Sequence, residues 1–180
     1  KKVGVKYFVF SSSCATFGEP QKIPISEAQP QNPVNPYGQS KYFIERILYD
    51  LYKLQGLNSA ILRYFNAAGA DPQGELGEMH DPETHLIPNI IRVALGLDKK
   101  LVVNGNDYPT PDGTCVRDYV HVMDLADAHI KAMEYIWRQN TCVDFNLGSE
   151  QGTTILEAIK MACKISGRLI PYDVGPRRPG

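Results

Sequence analysis

Two short apolar runs, KYFVFSS (residues 6–12) and NSAILRYFNAAGA (58–70), are separated by a long stretch whose apolar residues recur at helical spacing. That order constrains the fold more than any other feature of the chain. A short apolar run rich in aromatic and branched residues reads as a strand buried on both faces. The stretch between reads as a helix from about Pro36 to Leu54, with Phe43, Ile44, Ile47, Leu48, Leu51 and Leu54 at helical spacing and Gly56 ending it. The same alternation continues downstream. A helix is expected over 85–97, short strands at KLVVNG and VRDYVHV, and a helix over VMDLADAHIKAMEYIW. The strand CVDFNLGS follows, and then a helix over TTILEAIKMACKISG that a threonine opens and Gly167 closes. Strands alternating with helices make the class α/β with a mostly parallel sheet.

Composition excludes several functions. At 180 residues the chain has room for about one sizeable domain, and its 43% hydrophobic and 22% charged residues are those of a globular protein. A net charge of -1 offers no electrostatic footprint for nucleic acid or a membrane surface. No apolar run is long enough to span a bilayer. Cys14, Cys115, Cys142 and Cys163 are scattered, without CxxC spacing or nearby paired histidines. This argues against a zinc site and a disulfide framework and for buried free thiols in a reducing compartment, so no metal is expected and the cytoplasm is the expected location.

The chemistry gathers at the end of the first strand. Ser11, Ser12 and Ser13 stand at its carboxyl end, the edge where open α/β sheets bind ligands. A long loop rich in Pro, Ser, Gln and Asn follows, of a length that is usually functional. It leads to NPYGQSK, which sets Tyr37 and Lys41 four positions apart. A tyrosine, with an ordinary pKa of about 10, is a poor base near neutrality unless a neighbouring ammonium favours its phenolate. A serine hydroxyl sharing the travelling proton would complete such a set. Alone, a Tyr/Lys pair at this spacing is also what an ordinary helix start carries.

Other segments narrow the choice. FVFSSSCATFGEP, NPYGQSK, LRYFNAAGADPQGELGE, GNDYPTPDGTCVRDYVHVMDLADAH, FNLGS and GPRRPG together resemble the UDP-glucose 4-epimerases of the extended short-chain dehydrogenase/reductase superfamily. The pairing of GNDYPTPDGT with VRDYVHVMDLA is the most specific part. Sugar-nucleotide dehydratases of that superfamily carry an acidic residue beside the serine, where this chain has Cys14. The resemblance implies a Rossmann-like, mostly parallel sheet, of which this chain would hold the C-terminal part, with a smaller C-terminal substrate-binding α/β lobe. Residues 1–70 would be the remaining part of the NAD-binding domain, and 71–180 mainly the UDP-sugar lobe, interleaved with returning Rossmann segments at about 115–150.

It also implies roles. Ser13, Tyr37 and Lys41 would be catalytic and would touch NAD, Ser13 and Tyr37 the sugar as well, with Tyr37 as the base and Lys41 as its activator. Phe65 would lie beside the nicotinamide, and Asn66 would contact the substrate. His85 would stand at a diphosphate-binding position, with Leu86 beside it. Val102, Val103 and Asn104 would line the uracil through backbone groups, and Arg117 and Arg178 would pair with the pyrophosphate, for which guanidinium forks are suited. Asp124 and Asp127 are expected as helix-start and surface acids, and His121 and His129 as packing residues.

The implied reaction is interconversion of UDP-glucose and UDP-galactose through a 4-keto sugar, with NAD as cofactor and a homodimer as the assembly. Epimerases for UDP-xylose/arabinose, UDP-glucuronate or UDP-N-acetyl sugars, and a non-catalytic sugar-nucleotide-binding remnant, remain alternatives. No Gly-rich turn followed by an acidic residue occurs in the chain, which opens at Lys1-Lys2 and stops in GPRRPG. The expectation is therefore a fragment carrying the catalytic and substrate-binding half, inactive and binding little NAD by itself.

Overall fold

Alternation of side chains along three strands organises the first part of the molecule. The computed structural model describes residues 4–177. Strands β1 (Tyr7–Ser13), β2 (Asn58–Tyr64) and β6 (Cys142–Leu147) form a parallel sheet in the order β1-β2-β6, with Val9, Ala60 and Val143 in one row and Ser12, Arg63 and Asn146 in another. Successive residues of a strand point to opposite faces. One face carries Tyr7, Val9, Ala60, Leu62, Tyr64, Val143, Phe145 and Leu147, and it packs on Ala132 and Ile136 of α3 (Val122–Gln139). The other face carries Ser12, Arg63 and Asp144 and meets α1 (Pro36–Gln55) through polar contacts.

The expectation of a β1 buried on both faces needs correction. Phe8 is 41% exposed, and only Ser12 and Ser13 are buried in that strand. Among the described residues β1 has a single neighbour, whereas β2, with strands on both sides, is buried along six of its seven residues. The continuous apolar run predicts burial at the sheet's centre and fails at its edge.

Helix α1 runs from Pro36, with Asn35 as its cap and Gly56 closing it in the left-handed region at φ 64°. The apolar spacing that identifies the helix does not mark its buried side. Phe43, Ile47 and Leu54 are exposed, while Gly38, Glu45 and Leu48 are the buried positions. The cysteines differ from expectation as well, since all four are free and half-buried rather than buried. Cys142 opens β6, where burial, with Asp144 nearby, pushes its thiol up to about 11.

The chain divides into two units. One takes in the chain up to Ala67 and returns for Val120–Glu150; the other holds Ala68–Tyr119 and the chain from Gln151 onward. In the second unit, α2 (Leu86–Ala94) and α4 (Ile155–Ser166) cover the parallel pair β4 (Leu101–Asn104) and β8 (Tyr172–Gly175). Ile90, Val93, Leu101, Val103, Ile155, Ile159 and Ile170 form its core. Each fully buried aliphatic side chain there contributes about 1.5–3 kcal/mol. Thr154 and Glu157 cap α4 reciprocally, the capping-box arrangement. Val116 and Asp118 of β5 (Val116–His121) pair antiparallel with Thr154 and Gly152 of β7 (Gly152–Thr154). The remaining strand, β3 (Asn66–Ala68), follows β2 directly. No helix among the described residues is long and apolar enough to cross a membrane.

Candidate active site

Ser13 ends β1 and also begins a short 3-10 turn, Cys14–Phe17. Its hydroxyl accepts the N–H of Ala15 at 3.2 Å and its carbonyl accepts Thr16 Oγ1 at 2.9 Å, so the side chain is fixed and buried. The turn has no room to spare against α1. A Cβ built on Gly38 would stand 2.5 Å from the Ala15 carbonyl oxygen, closer than any side chain tolerates. Gly38 therefore lets the first turn of α1 press on the turn that begins at Ser13.

Six of the seven residues of NPYGQSK have an evident place in this arrangement. Asn35 accepts the N–H of Gly38 at 2.8 Å, the capping bond that helix starts require. Pro36 occupies the first helical turn, where its missing N–H costs nothing. Ser40 Oγ donates to the Tyr37 carbonyl at 2.8 Å. Tyr37 is 55% exposed, open for a ligand to reach. Lys41 lies one turn on, donates from Nζ to the Ser11 carbonyl at 2.8 Å, and stands 5.6 Å from the centre of the Tyr37 ring and 5.2 Å from that of Phe10. The ammonium is thus tied to the strand that ends in Ser13 and held against the tyrosine. The register pairs Ser13 with Tyr64, so Phe65 and Asn66 leave the sheet at the same carboxyl edge. The structure brings Ser13, Tyr37, Lys41, Phe65 and Asn66 to one end of one unit.

A group that sequence reading missed lies beneath this edge. Glu45, one turn beyond Lys41 and 0% exposed, accepts Ser12 Oγ, accepts Gln31 Nε2 at 2.7 Å, and is gripped by Arg63 through Nε at 3.1 Å and Nη2 at 2.7 Å. Arg63 reaches Asp144 with Nη1 at 2.5 Å, and Tyr49 donates to the same carboxylate at 2.5 Å. Burial, then the bond to Asp144, push the Tyr49 phenol well above its ordinary range. Burial alone would lower the guanidinium of Arg63, but its bonds to Glu45 and the nearby carboxylates raise it. This network ties α1 to all three strands. No local sequence pattern signals it, because the partners come from α1, three separate strands and the loop at Gln31.

Histidines and acids fall mostly where expected. His129 Nε2 is 2.9 Å from Ser11 Oγ and its Nδ1 is 2.7 Å from the Leu125 carbonyl, so Nδ1 carries the proton and Nε2 accepts the hydroxyl. His121 caps α3 by accepting the N–H of Met123. Asp124 lies in the first turn of α3, and Asp127 pairs with Lys131 on the surface.

The second unit holds the remaining candidates. His85 precedes α2 without capping it, and Leu86 is the first helical residue. Val102 and Asn104 face outward, whereas Val103 is a core residue at 1% exposure and offers a ligand only its backbone. Arg117 is exposed, donating to the Val116 carbonyl at 2.9 Å. Arg178 lies outside the described residues. Its neighbour Arg177 pairs with Asp107 at 2.7 Å and stacks 4.2 Å from the Tyr108 ring centre.

Residues 1–148 match the model of the NAD dependent epimerase/dehydratase family. The chain belongs to that family. It is 52% identical over 177 residues to the UDP-glucose 4-epimerase of Lacticaseibacillus casei, a match covering 98% of this chain and 54% of that protein. It is 51% identical to that of Streptococcus mutans, covering 98% and 53%. The structure of UDP-glucose 4-epimerase from Brucella ovis in complex with NAD superposes with a TM-score of 0.92 at 49% identity, over 97% of this chain and 54% of that one. That from Bifidobacterium longum in complex with NAD+ and UDP gives 0.93 at 43% identity, over 99% and 54%. The chain thus spans about half the length of the curated relatives it matches. The family's Rossmann-like α/β fold agrees with the parallel β1-β2-β6 sheet and its flanking helices, and the resemblance read from NPYGQSK and VRDYVHVMDLADAH agrees with this family membership.

Proposed function

We propose that this chain carries the proton-handling and substrate-binding part of an NAD-dependent UDP-glucose 4-epimerase, which interconverts UDP-glucose and UDP-galactose. The observation that carries the reading is the accessible Tyr37 phenol with the Lys41 ammonium held beside it, on the edge that Ser13 ends. The names of the relatives supply the substrate.

The residues present fit the cofactor's reactive end. Ser13, Tyr37, Lys41 and Phe65 share the carboxyl edge of the sheet, where an open α/β fold binds a dinucleotide. NAD, when bound, supplies the acceptor and later the donor of hydride at sugar C4. The chain's own residues move the proton and hold the substrate. Tyr37 takes the proton of the 4-hydroxyl and returns it when C4 is reduced from the other face. Ser13 holds the sugar oxygen, and Lys41 sets its ammonium beside the base. The 4-keto sugar must turn between the two half-reactions, so firm contacts belong on the nucleotide. Asn66, His85, Leu86, the backbone of Val102–Asn104, Arg117 and Arg178 serve that purpose in this reading.

The test is to complete the chain. Residues 1–180, joined behind the preceding segment of the Lacticaseibacillus casei relative, should convert UDP-galactose to UDP-glucose in an assay coupled to UDP-glucose dehydrogenase. Absence of turnover in a folded, NAD-loaded chimaera would refute the reading. In the same protein Arg117→Ala should weaken UDP binding by about 1.5–3 kcal/mol, as expected for a hydrogen bond to a charged group. UDP-glucose and UDP-galactose should suffer alike, because the contact is to phosphate. A preference emerging between the two sugars in a titration would show that Arg117 reads the sugar instead.

The reading includes a homodimer and a cytoplasmic setting. Phe43, Ile47 and Leu54 expose an apolar stripe on α1 that supports the first, and the four free thiols support the second. Ile47→Glu should turn a dimeric chimaera into a monomer in sedimentation; an unchanged mass would place the interface elsewhere.

A further inference from the structure

The loop that ends at α2 carries a second constellation, Glu78-Met79-His80-Asp81-Pro82-Glu83-Thr84-His85. One ligating atom from each of Glu78, His80, Glu83 and His85 lies within 4.8 Å of the other three. His80 Nδ1 is 3.0 Å from Glu78 Oε1 and 3.7 Å from Glu83 Oε2. His85 Nδ1 is 3.5 Å from Glu83 Oε1 and also touches Glu78 Oε1. We propose that these four side chains form a binding site for a divalent transition-metal ion of the zinc type.

Three lines of physical argument converge. Metal–nitrogen and metal–oxygen bonds of about 2.0–2.2 Å put the donors of a tetrahedron about 3.3–3.6 Å apart. His80 lies 3.0 Å from Glu78 and 3.7 Å from Glu83, and His85 lies 3.5 Å from the other Glu83 oxygen, while the closer His85–Glu78 contact would have to open for an ion to enter. Two imidazole nitrogens with two carboxylate oxygens also make a donor set that suits zinc, neither purely hard nor purely soft. Charge is the third line. Both carboxylates are sheltered, with side chains 24% and 7% exposed, and among the described residues no lysine or arginine pairs with either. A dication would neutralise the two carboxylates, which among the described residues now face only the two imidazoles and backbone N–H groups.

The surroundings orient the donors. Glu83 Oε1 accepts the N–H groups of Thr84 and His85, each at 2.8 Å, which fixes its carboxylate. The two histidines are more than half exposed, so an ion can enter from solvent. A bound ion would staple the loop to the start of α2 and leave His85 Nε2 free, as its remaining ring nitrogen. Reading cysteine spacing had argued against zinc; the signal lay in E-x-H-x-x-E-x-H, four donors within eight residues.

The experiment uses the full chain, stripped with EDTA and titrated with Co2+ and then Zn2+. One Co2+ per chain should bind with the intense visible absorption of a tetrahedral site, and Zn2+ should displace it and raise the thermal midpoint. His80→Ala and Glu78→Gln should each weaken Co2+ binding by at least about 10–100-fold, the loss that a change outside the ligand shell can already cause. Their far-UV circular dichroism should match the parent. Absence of uptake, a weak octahedral spectrum, or tight binding that survives both substitutions would overturn the proposal. Because the readout is metal binding, the result is independent of whether the chimaera epimerises.

Discussion

Tyr37→Phe in the completed protein should lower kcat for UDP-galactose by about 10²–10⁴-fold, the range that a positioned proton acceptor contributes. The ring and its place in the first turn of α1 remain, as does the Lys41 ammonium 5.6 Å from the ring centre. Only the oxygen that takes the proton is lost. KM should therefore change little, since a group that acts in the transition state alone alters kcat and kcat/KM together. Steady-state rates with UDP-galactose, alongside UDP binding by titration, separate the cases. Equal losses in binding and turnover would mean that Tyr37 holds the substrate and does not carry its proton. The variant should also unfold at the parent's midpoint, because the phenol is exposed.

What could be read in the sequence follows the range over which each interaction acts. NPYGQSK gave its helix start and its Tyr/Lys pair from neighbours within a few positions, and the structure adds the Asn35 cap and why Gly38 must lack a side chain. Thr154, Gly56 and Gly167 were legible as helix ends for the same local reason. Burial was less legible. The periodicity of Phe43, Ile47 and Leu54 located α1, yet those residues face outward and a glutamate faces inward, because the helix meets a row of polar strand residues. β8 was missed, since its pattern is short and its partner β4 lies about 70 residues earlier. At the candidate site, type and order in the sequence single out Ser13, Tyr37 and Lys41, while nothing in it points to Glu45, Arg63 and Asp144. Arg63 stands 18 positions from Glu45 and 81 from Asp144, and no spacing rule connects them.

That hidden network leads to the largest expected effect on stability. Arg63→Leu should lower the free energy of unfolding by about 3–5 kcal/mol, the loss that follows when one partner of a buried ion pair is removed. Arg63 and Glu45 are 2% and 0% exposed, and the guanidinium engages Glu45 and Asp144 while lying 5.3 Å from the centre of the Phe17 ring. Without it, Glu45 keeps Ser12 and Gln31 as hydrogen-bond partners but loses its cation in a site that water does not reach. Arg63→Lys should recover only part of the loss, because one ammonium cannot reproduce a planar fork with donors on two carboxylates. The double variant Glu45→Leu/Arg63→Leu should be more stable than Arg63→Leu alone, since an apolar pair replaces a stranded charge. Urea unfolding midpoints of the three variants decide the matter. If the double variant is no more stable than the single, the cost lies in the packing of Arg63 against Phe17 and not in its charge. The network's place gives the comparison a catalytic meaning as well. Glu45 lies one turn beyond Lys41 and two beyond Tyr37, and its partner Ser12 adjoins Ser13. Loosening that clamp should therefore depress kcat in Arg63→Leu under conditions where the protein is still fully folded.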